Sequence, residues 1–187
     1  MNEARDPHDS YETPKDAVHQ LLGSQRLEGR IWDPSCGRGM IVQALIDASI
    51  DKGRIFASDK YVHRARLDDP PVSGMISHGI DFLEQASCPD IANIVMNPPF
   101  SQSDAHVRHA LQIIPSNGMV CVLLRLTWMS AKKRADFLMH LTKIIMVGRL
   151  KMLPEGAPDK GHGGTVDFAW FIFEPRMIES TIIVRAK

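Results

Sequence analysis

Short apolar runs alternate with amphipathic stretches along most of the chain. Runs at about 30–33, 54–58, 74–78, 92–96, 118–125, 143–149 and 167–173 are short and rich in β-branched or aromatic side chains, and they predict seven strands. Between them, apolar residues recur at helical spacing near 38–49, 102–114 and 131–140. In the first of these, Met40, Ile41, Ala44, Leu45 and Ala48 share one face. A further helix is predicted over Pro14 to Leu22, with Thr13 as its cap and proline in the first turn. Helices that intervene between successive strands are what parallel crossovers require. The pattern therefore predicts an α/β fold, a mostly parallel seven-stranded sheet with helices on both faces. DFAWFIF (167–173) and TIIVRA (181–186), parted by the turn-like EPRMIES, predict an antiparallel pair closing the sheet.

At 187 residues the chain has room for one domain, predicted over 11–187 after a loose polar tail at 1–10, and none for a separate recognition domain. The segment 151–166 (KMLPEGAPDKGHGGTV) reads as a flexible loop, rich in glycine, proline and charge. No apolar stretch exceeds six residues, as in Met119 to Leu124, so neither a membrane span nor a signal peptide is predicted and the expected compartment is the cytoplasm. Three cysteines, at 36, 88 and 121, are odd in number and far apart, which predicts reduced thiols rather than a disulfide framework or a zinc site.

A net charge of zero conceals an asymmetry. Residues 1–96 carry 15 acidic and 10 basic side chains, whereas 97–160 carry 4 and 9. Lys132, Lys133 and Arg134 form the densest basic cluster, and with Arg149 and Lys151 they are candidates for contact with a phosphate backbone; Arg125, Lys143 and Lys160 lie in the same third of the chain.

The candidate chemistry sits after strands. Asp33-Pro34-Ser35-Cys36-Gly37-Arg38-Gly39 follows the first predicted strand and precedes a helix, where a glycine-rich turn lets a ligand approach the backbone. It is neither a dinucleotide fingerprint nor a P-loop, because Val42 stands where the third glycine of the former would fall and no Gly-Lys-Ser/Thr follows. Asp59 ends the next strand, about 20 residues on, at the spacing that suits a ribose. Asp81-Phe82 follows the third. Asn97-Pro98-Pro99-Phe100 follows the fourth, and its two prolines predict a rigid, extended ledge. There the Asn97 oxygen and the Pro98 carbonyl can both accept from one amino group while Phe100 stacks on the ring that carries it.

In this order and spacing, DPSCGRG, Asp59, Asp81-Phe82 and NPPF resemble the motifs of the class I S-adenosylmethionine-dependent amino-methyltransferases that act on N6 of adenine. Tyr11-Glu12-Thr13-Pro14 resembles the family's N-terminal motif. LLRLTWM (123–129), the basic helix after it and DFAWFIF resemble small phage or prophage enzymes without a recognition domain. The resemblance implies a Rossmann-like fold, S-adenosylmethionine as cofactor and DNA, before RNA, as partner. It assigns Asp33, Pro34, Cys36, Gly37 and Gly39 to the methionine portion, with Tyr11 beside it and Thr13 as a partner for its carboxylate. Asp59 would hold the ribose, Asp81 the cofactor's adenine amino group and Phe82 that adenine's face. Asn97, Pro98, Pro99 and Phe100 would form the catalytic ledge, with phenylalanine where tyrosine is commoner. Arg38 stands where the family often has a small or polar residue.

The reaction implied is direct in-line displacement. Transfer to RNA adenine or to a protein glutamine, or a non-catalytic cofactor-binding module, are the other functions such a ledge could serve. Trp128 reads either as a ring near the open base or as core. His106 and His109 lie three apart on a predicted helix without a matching carboxylate or cysteine, so they read as surface residues and no metal is expected.

Overall fold

The computed structural model describes residue 9 and residues 11–63, 72–88, 90–154 and 164–186. In chain order its elements are β1 (Tyr11–Glu12), α1 (Lys15–Ser24), β2 (Ile31–Asp33), α2 (Met40–Asp47), β3 (Ile55–Asp59), β4 (Ile76–His78), β5 (Asn93–Met96), α3 (Ser103–Ile113), β6 (Met119–Arg125), α4 (Ala135–Leu138), β7 (Leu141–Leu150), β8 (Leu153–Pro154), β9 (Val166–Phe173) and β10 (Ile182–Arg185).

Eight strands form one sheet in the order β10-β7-β9-β6-β5-β2-β3-β4, one more than the seven expected. From β4 to β6 every pairing is parallel. β9 lies between β6 and β7 and runs antiparallel to both. The expected hairpin between the last two strands does not form, because β10 pairs in parallel with β7 at the sheet edge. Burial explains the choice. Phe168 to Phe173 are all buried, so this run needs neighbours on both edges and cover on both faces, whereas Ile182 and Ile183 are about 60% exposed and suit an edge.

Alternation along the strands divides the core. Val120, Val122 and Leu124 of β6 pack in one cluster with Val107 and Ala110 of α3 and Phe137 of α4, while Cys121 and Leu123 pack in the other with Val18 and Leu21 of α1 and Ile41 and Leu45 of α2. Helices thus cover both faces. Two buried tryptophans add side-chain ties: Trp170 Nε1 donates to the Ala17 carbonyl at 2.7 Å, joining the sheet to α1, and Trp32 Nε1 donates to Ser58 Oγ at 2.9 Å, joining neighbouring strands β2 and β3.

Several local expectations change. Pro14, not Thr13, is the cap residue of α1, and no side chain caps it. The helix expected over 131–140 shrinks to the four residues of α4, preceded by a tight 3₁₀ turn at Lys132–Arg134. Within the predicted loop, β8 pairs antiparallel with β1, Tyr11 opposite Pro154 and Glu12 opposite Leu153; 155–163, including Lys160, lie outside the described residues. Asp9 is not loose. It is buried, and its Oδ2 accepts from the Ser101 amide at 2.7 Å; the other residues of the predicted tail lie outside the described ones.

Candidate functional site

The strand order decides where the sequence motifs meet. β4, β3, β2 and β5 are consecutive neighbours, so the residues at or after their C-terminal ends fall in a row: Asp81, Asp59, Asp33, Asn97. In open parallel sheets this edge is where ligands collect. A cleft of about 790 Å³, including the part open to solvent, runs along it and is lined by all four.

The glycine loop is built against β3. The Cys36 amide donates to the Ser58 carbonyl at 3.1 Å, and the Gly37 amide donates to Asp59 Oδ2 at 2.8 Å. Gly37 and Gly39 both adopt positive φ, 53° and 88°. Gly37 lines the cleft, but Gly39 does not. A Cβ at Gly39 would stand 2.7 Å from Val72 Cγ2, so this glycine also serves the turn and its packing.

Asp33 is fully buried, and neither carboxylate oxygen has a hydrogen-bond partner among the described residues. Burial raises its pKa well above the usual carboxylate value. The Ser35 amide is near enough to offset part of this without completing a hydrogen bond, and the charge of Asp59 adds to the rise. Burial, with the charges of Asp33 and Asp59, likewise pushes the Cys36 thiol far up, so Cys36 faces the cleft as a neutral thiol. Pro34 and the buried Thr13 also line it.

Asp59 is held differently. Burial opposes its ionisation, but His63, whose Nε2 lies 3.2 Å from Oδ1, and the amides of Tyr61 and Gly37 outweigh that and lower its pKa. A carboxylate offers about four acceptor sites and these three donors use most of them, so capacity remains for about one hydroxyl donor. Asp81 caps the short turn at Phe82–Glu84 through the Leu83 amide and pairs with Lys60 at 2.7 Å, and Lys60 first among the causes lowers its pKa. Phe82 is 2% exposed, edge-on to Trp32 and His109 and tilted against His106, so its ring is largely enclosed.

His106 is not a surface residue, and His109 is half-buried. His106 is 5% exposed in the cleft wall, and burial lowers its pKa, keeping the imidazole neutral. The signal was available, since His106 and Ala110 share a face of α3 at i, i+4.

At the far end of the row, Asn97 Nδ2 donates to the Tyr11 carbonyl at 3.0 Å, and Asn97 Oδ1 is buried without a hydrogen-bond partner among the described residues. Pro99 lines the cleft, whereas Pro98 is buried and does not. Phe100 faces a second hollow of about 1000 Å³, again including open solvent, which also takes in Arg125 and Trp128. Its ring stacks on Tyr11 at 5.1 Å, and the Arg125 guanidinium lies 4.9 Å from its centre. Tyr11 borders both spaces, so its place is beside the Asn97-Phe100 ledge as much as beside the glycine loop.

The basic candidates separate. Arg134 is inward, donating to Asp104 Oδ1 at 2.7 Å and to the Trp128 carbonyl, with its guanidinium over the Trp128 ring. Trp128 is buried among Phe137, Phe171 and Phe173. Lys133 pairs with Asp104 at 2.6 Å. Lys132 and Arg149 are exposed and Lys151 is half-buried, none of them lining either space. Sequence reasoning missed Asp9, Glu12, Lys60, Tyr61, His63 and Gln102 in the cleft wall. Glu12 lies in the N-terminal motif but was given no role there, and the others are isolated polar residues that carry no periodic or motif signal.

No protein-family model matches the sequence, and no curated protein matches it. Solved structures do. The type IIG restriction endonuclease BpuSI aligns with a TM-score of 0.62 at 12% identity over 94% of this chain, and a type I restriction-modification methyltransferase subunit from Streptococcus thermophilus at 0.60, 12% and 94%. The fold is the Rossmann-like methyltransferase fold. This chain spans 27% and 47% of those two proteins, and 85% of a predicted O-methyltransferase from Agrobacterium tumefaciens that aligns at 0.58 and 14% identity. Neighbours from DNA-modification systems and O-methyltransferases occur together, so the likeness carries the fold and not the substrate.

Proposed function

We propose that this chain is a class I S-adenosylmethionine-dependent methyltransferase of the small phage or prophage type that modifies the exocyclic N6 amino group of adenine in DNA. The observation that carries the acceptor assignment is Asn97 Oδ1, a buried acceptor without a partner among the described residues, at the C-terminal edge of β5. An unpaired buried acceptor costs about 1–3 kcal/mol, and an incoming N–H removes that cost.

The cofactor fits the row of residues. Asp33 holds two carboxylate oxygens unpartnered among the described residues where an ammonium group would satisfy them, Asp59 keeps acceptor capacity for about one ribose hydroxyl, and Asp81 and Phe82 close the adenine end. When bound, S-adenosylmethionine supplies an electrophilic methyl group on a sulfonium sulfur.

The protein's part is positioning. An adenine amino nitrogen is a poor nucleophile because its lone pair is delocalised into the ring. Asn97 Oδ1 would accept one of its N–H bonds and the Pro98 carbonyl the other, which would turn the nitrogen's lone pair toward the methyl group. The group supplied would be the cofactor's methyl, its sulfur keeping the carbon–sulfur electron pair as a neutral thioether, and the methylated nitrogen would give up its extra proton to water. One net hydrogen bond contributes about 1 kcal/mol, whereas holding two reactants in a near-attack geometry contributes about 7–11, so geometry dominates. Duplex substrate requires extrusion of the base at a few kcal/mol, less for single strands. Phe100 and the adjoining hollow with Arg125 offer a ring and a cation to such a base.

Methyl transfer from isotope-labelled S-adenosylmethionine to duplex DNA, single-stranded DNA, RNA and protein, with the labelled residue identified by mass spectrometry, tests this reading. Labelled N6-methyladenine in DNA supports it. Label in protein glutamine or RNA moves the substrate, and label nowhere removes the activity.

A further inference from the structure

Among the described residues, five carboxylates line the cleft, Asp9, Glu12, Asp33, Asp59 and Asp81, against two fixed cations, Arg38 and Lys60. Lys60 is held at the Asp81 end by its ion pair. Arg38 stands at the other end, between the two loop glycines, its side chain 4% exposed and its Nη1 2.8 Å from Glu12 Oε1. An arginine at this position is a feature of this chain, where the resemblance sets a small or polar residue.

A ligand whose amino-acid end lies here brings two charges. Asp33 meets the ammonium. The carboxylate has to enter beside Glu12 and Asp33, and like charges close together in a low-dielectric wall repel strongly. The Thr13 hydroxyl offers a hydrogen bond but no charge. Arg38 offers both, since its guanidinium carries five N–H donors in a fork that suits carboxylates. We infer that Arg38 is the anchor for the methionine carboxylate of S-adenosylmethionine, with Glu12 as the positioning residue that fixes its guanidinium. The inference rests on the cofactor reading above. It makes the acid-rich cleft selective for a zwitterionic amino acid over a bare thioether or amine.

The experiment is direct binding by calorimetry, with no activity readout. S-adenosylmethionine, decarboxylated S-adenosylmethionine and 5′-methylthioadenosine are compared on the wild-type chain and on Arg38→Ala and Arg38→Lys, with circular dichroism to confirm folding. Wild type is expected to bind S-adenosylmethionine at least tenfold more tightly than its decarboxylated form. Arg38→Ala is expected to lose about 10- to 100-fold for S-adenosylmethionine and less than threefold for the two ligands without a carboxylate. Arg38→Lys should recover part of the loss.

Equal losses for all three ligands in folded variants would overturn the assignment, since a merely structural strut affects every adenosyl ligand alike. Equal wild-type affinity with and without the carboxylate would overturn it even if the variants do not fold. If wild type binds none of the ligands, the cofactor reading fails and the inference with it.

Discussion

The side-chain amide of Asn97 is oriented by the main chain of Tyr11. A backbone carbonyl accepts and never donates, so Asn97 must present its nitrogen to the Tyr11 oxygen, 3.0 Å away, which leaves its own oxygen buried and unpartnered in the described structure. The N-terminal strand thereby fixes which end of the amide is available for a substrate. Asn97→Ala is expected to lower kcat by about 10²- to 10³-fold, on the scale seen when one preorganised hydrogen-bonding group is removed. The Kd for S-adenosylmethionine should stay within about twofold in calorimetry. Asn97→Asp sets an oxygen against the Tyr11 carbonyl, and its urea midpoint should fall by the equivalent of about 1–2 kcal/mol.

Gly39 tests the structural role of the loop separately from binding. At φ 88°, with Val72 Cγ2 2.7 Å from where a Cβ would stand, Gly39→Ala is both strained and crowded. A loss of about 1–3 kcal/mol in urea unfolding with an unchanged slope is expected. A variant as stable as wild type would contradict the packing role.

Asp33 gives a pH signature. Burial raises its folded-state pKa above the unfolded value of about 3.9, so its contribution to stability is fully present below that value and is lost as pH rises through the folded pKa. Asp33→Asn removes this penalty. The variant should therefore be more stable than wild type at pH values above the window, with weaker S-adenosylmethionine binding. An ammonium placed against Asp33 favours the ionised form, so cofactor binding at a pH below the raised pKa should release a proton, read as a dependence of the calorimetric enthalpy on the buffer's ionisation heat. Buffer-independent enthalpy across the window would contradict the contact.

Arg134 and Lys132, two apart in one basic run, should behave as opposites. Arg134 holds Asp104 and the Trp128 carbonyl, so Arg134→Ala should cost about 1–3 kcal/mol of stability. Lys132 is exposed, and Lys132→Ala should leave stability unchanged while reducing the salt dependence of DNA binding by about one counterion. Thermal unfolding and binding titrations at several salt concentrations separate the two.

Much of the fold was legible because strand and helix periodicity report local burial. Seven strand segments and the motif residues at the ends of β2, β3 and β5 lie where the pattern put them. The partner of β10 was not legible. A turn between two apolar runs signals a hairpin locally, but whether a strand is interior or edge depends on cover from elements distant in sequence, and the six buried residues Phe168 to Phe173 claimed both β6 and β7. The same limit applies at the site. Motif spacing brought Asp33, Asp59, Asp81 and Asn97 to one cleft, yet it could not separate Gly37, which lines that cleft, from Gly39, which packs against Val72. Nor could charge density distinguish the inward Arg134 from the exposed Lys132, since both belong to one run and only tertiary partners such as Asp104 tell them apart.

The most direct measurement compares wild type and Asn97→Ala for transfer of labelled methyl to adenine in single- and double-stranded DNA, with S-adenosylmethionine binding measured on the same samples. The proposed chemistry predicts labelled N6-methyladenine with wild type, its loss with Asn97→Ala, and equal cofactor affinity for both. Cofactor binding by wild type without any labelled adenine, or transfer that survives Asn97→Ala undiminished, would contradict it.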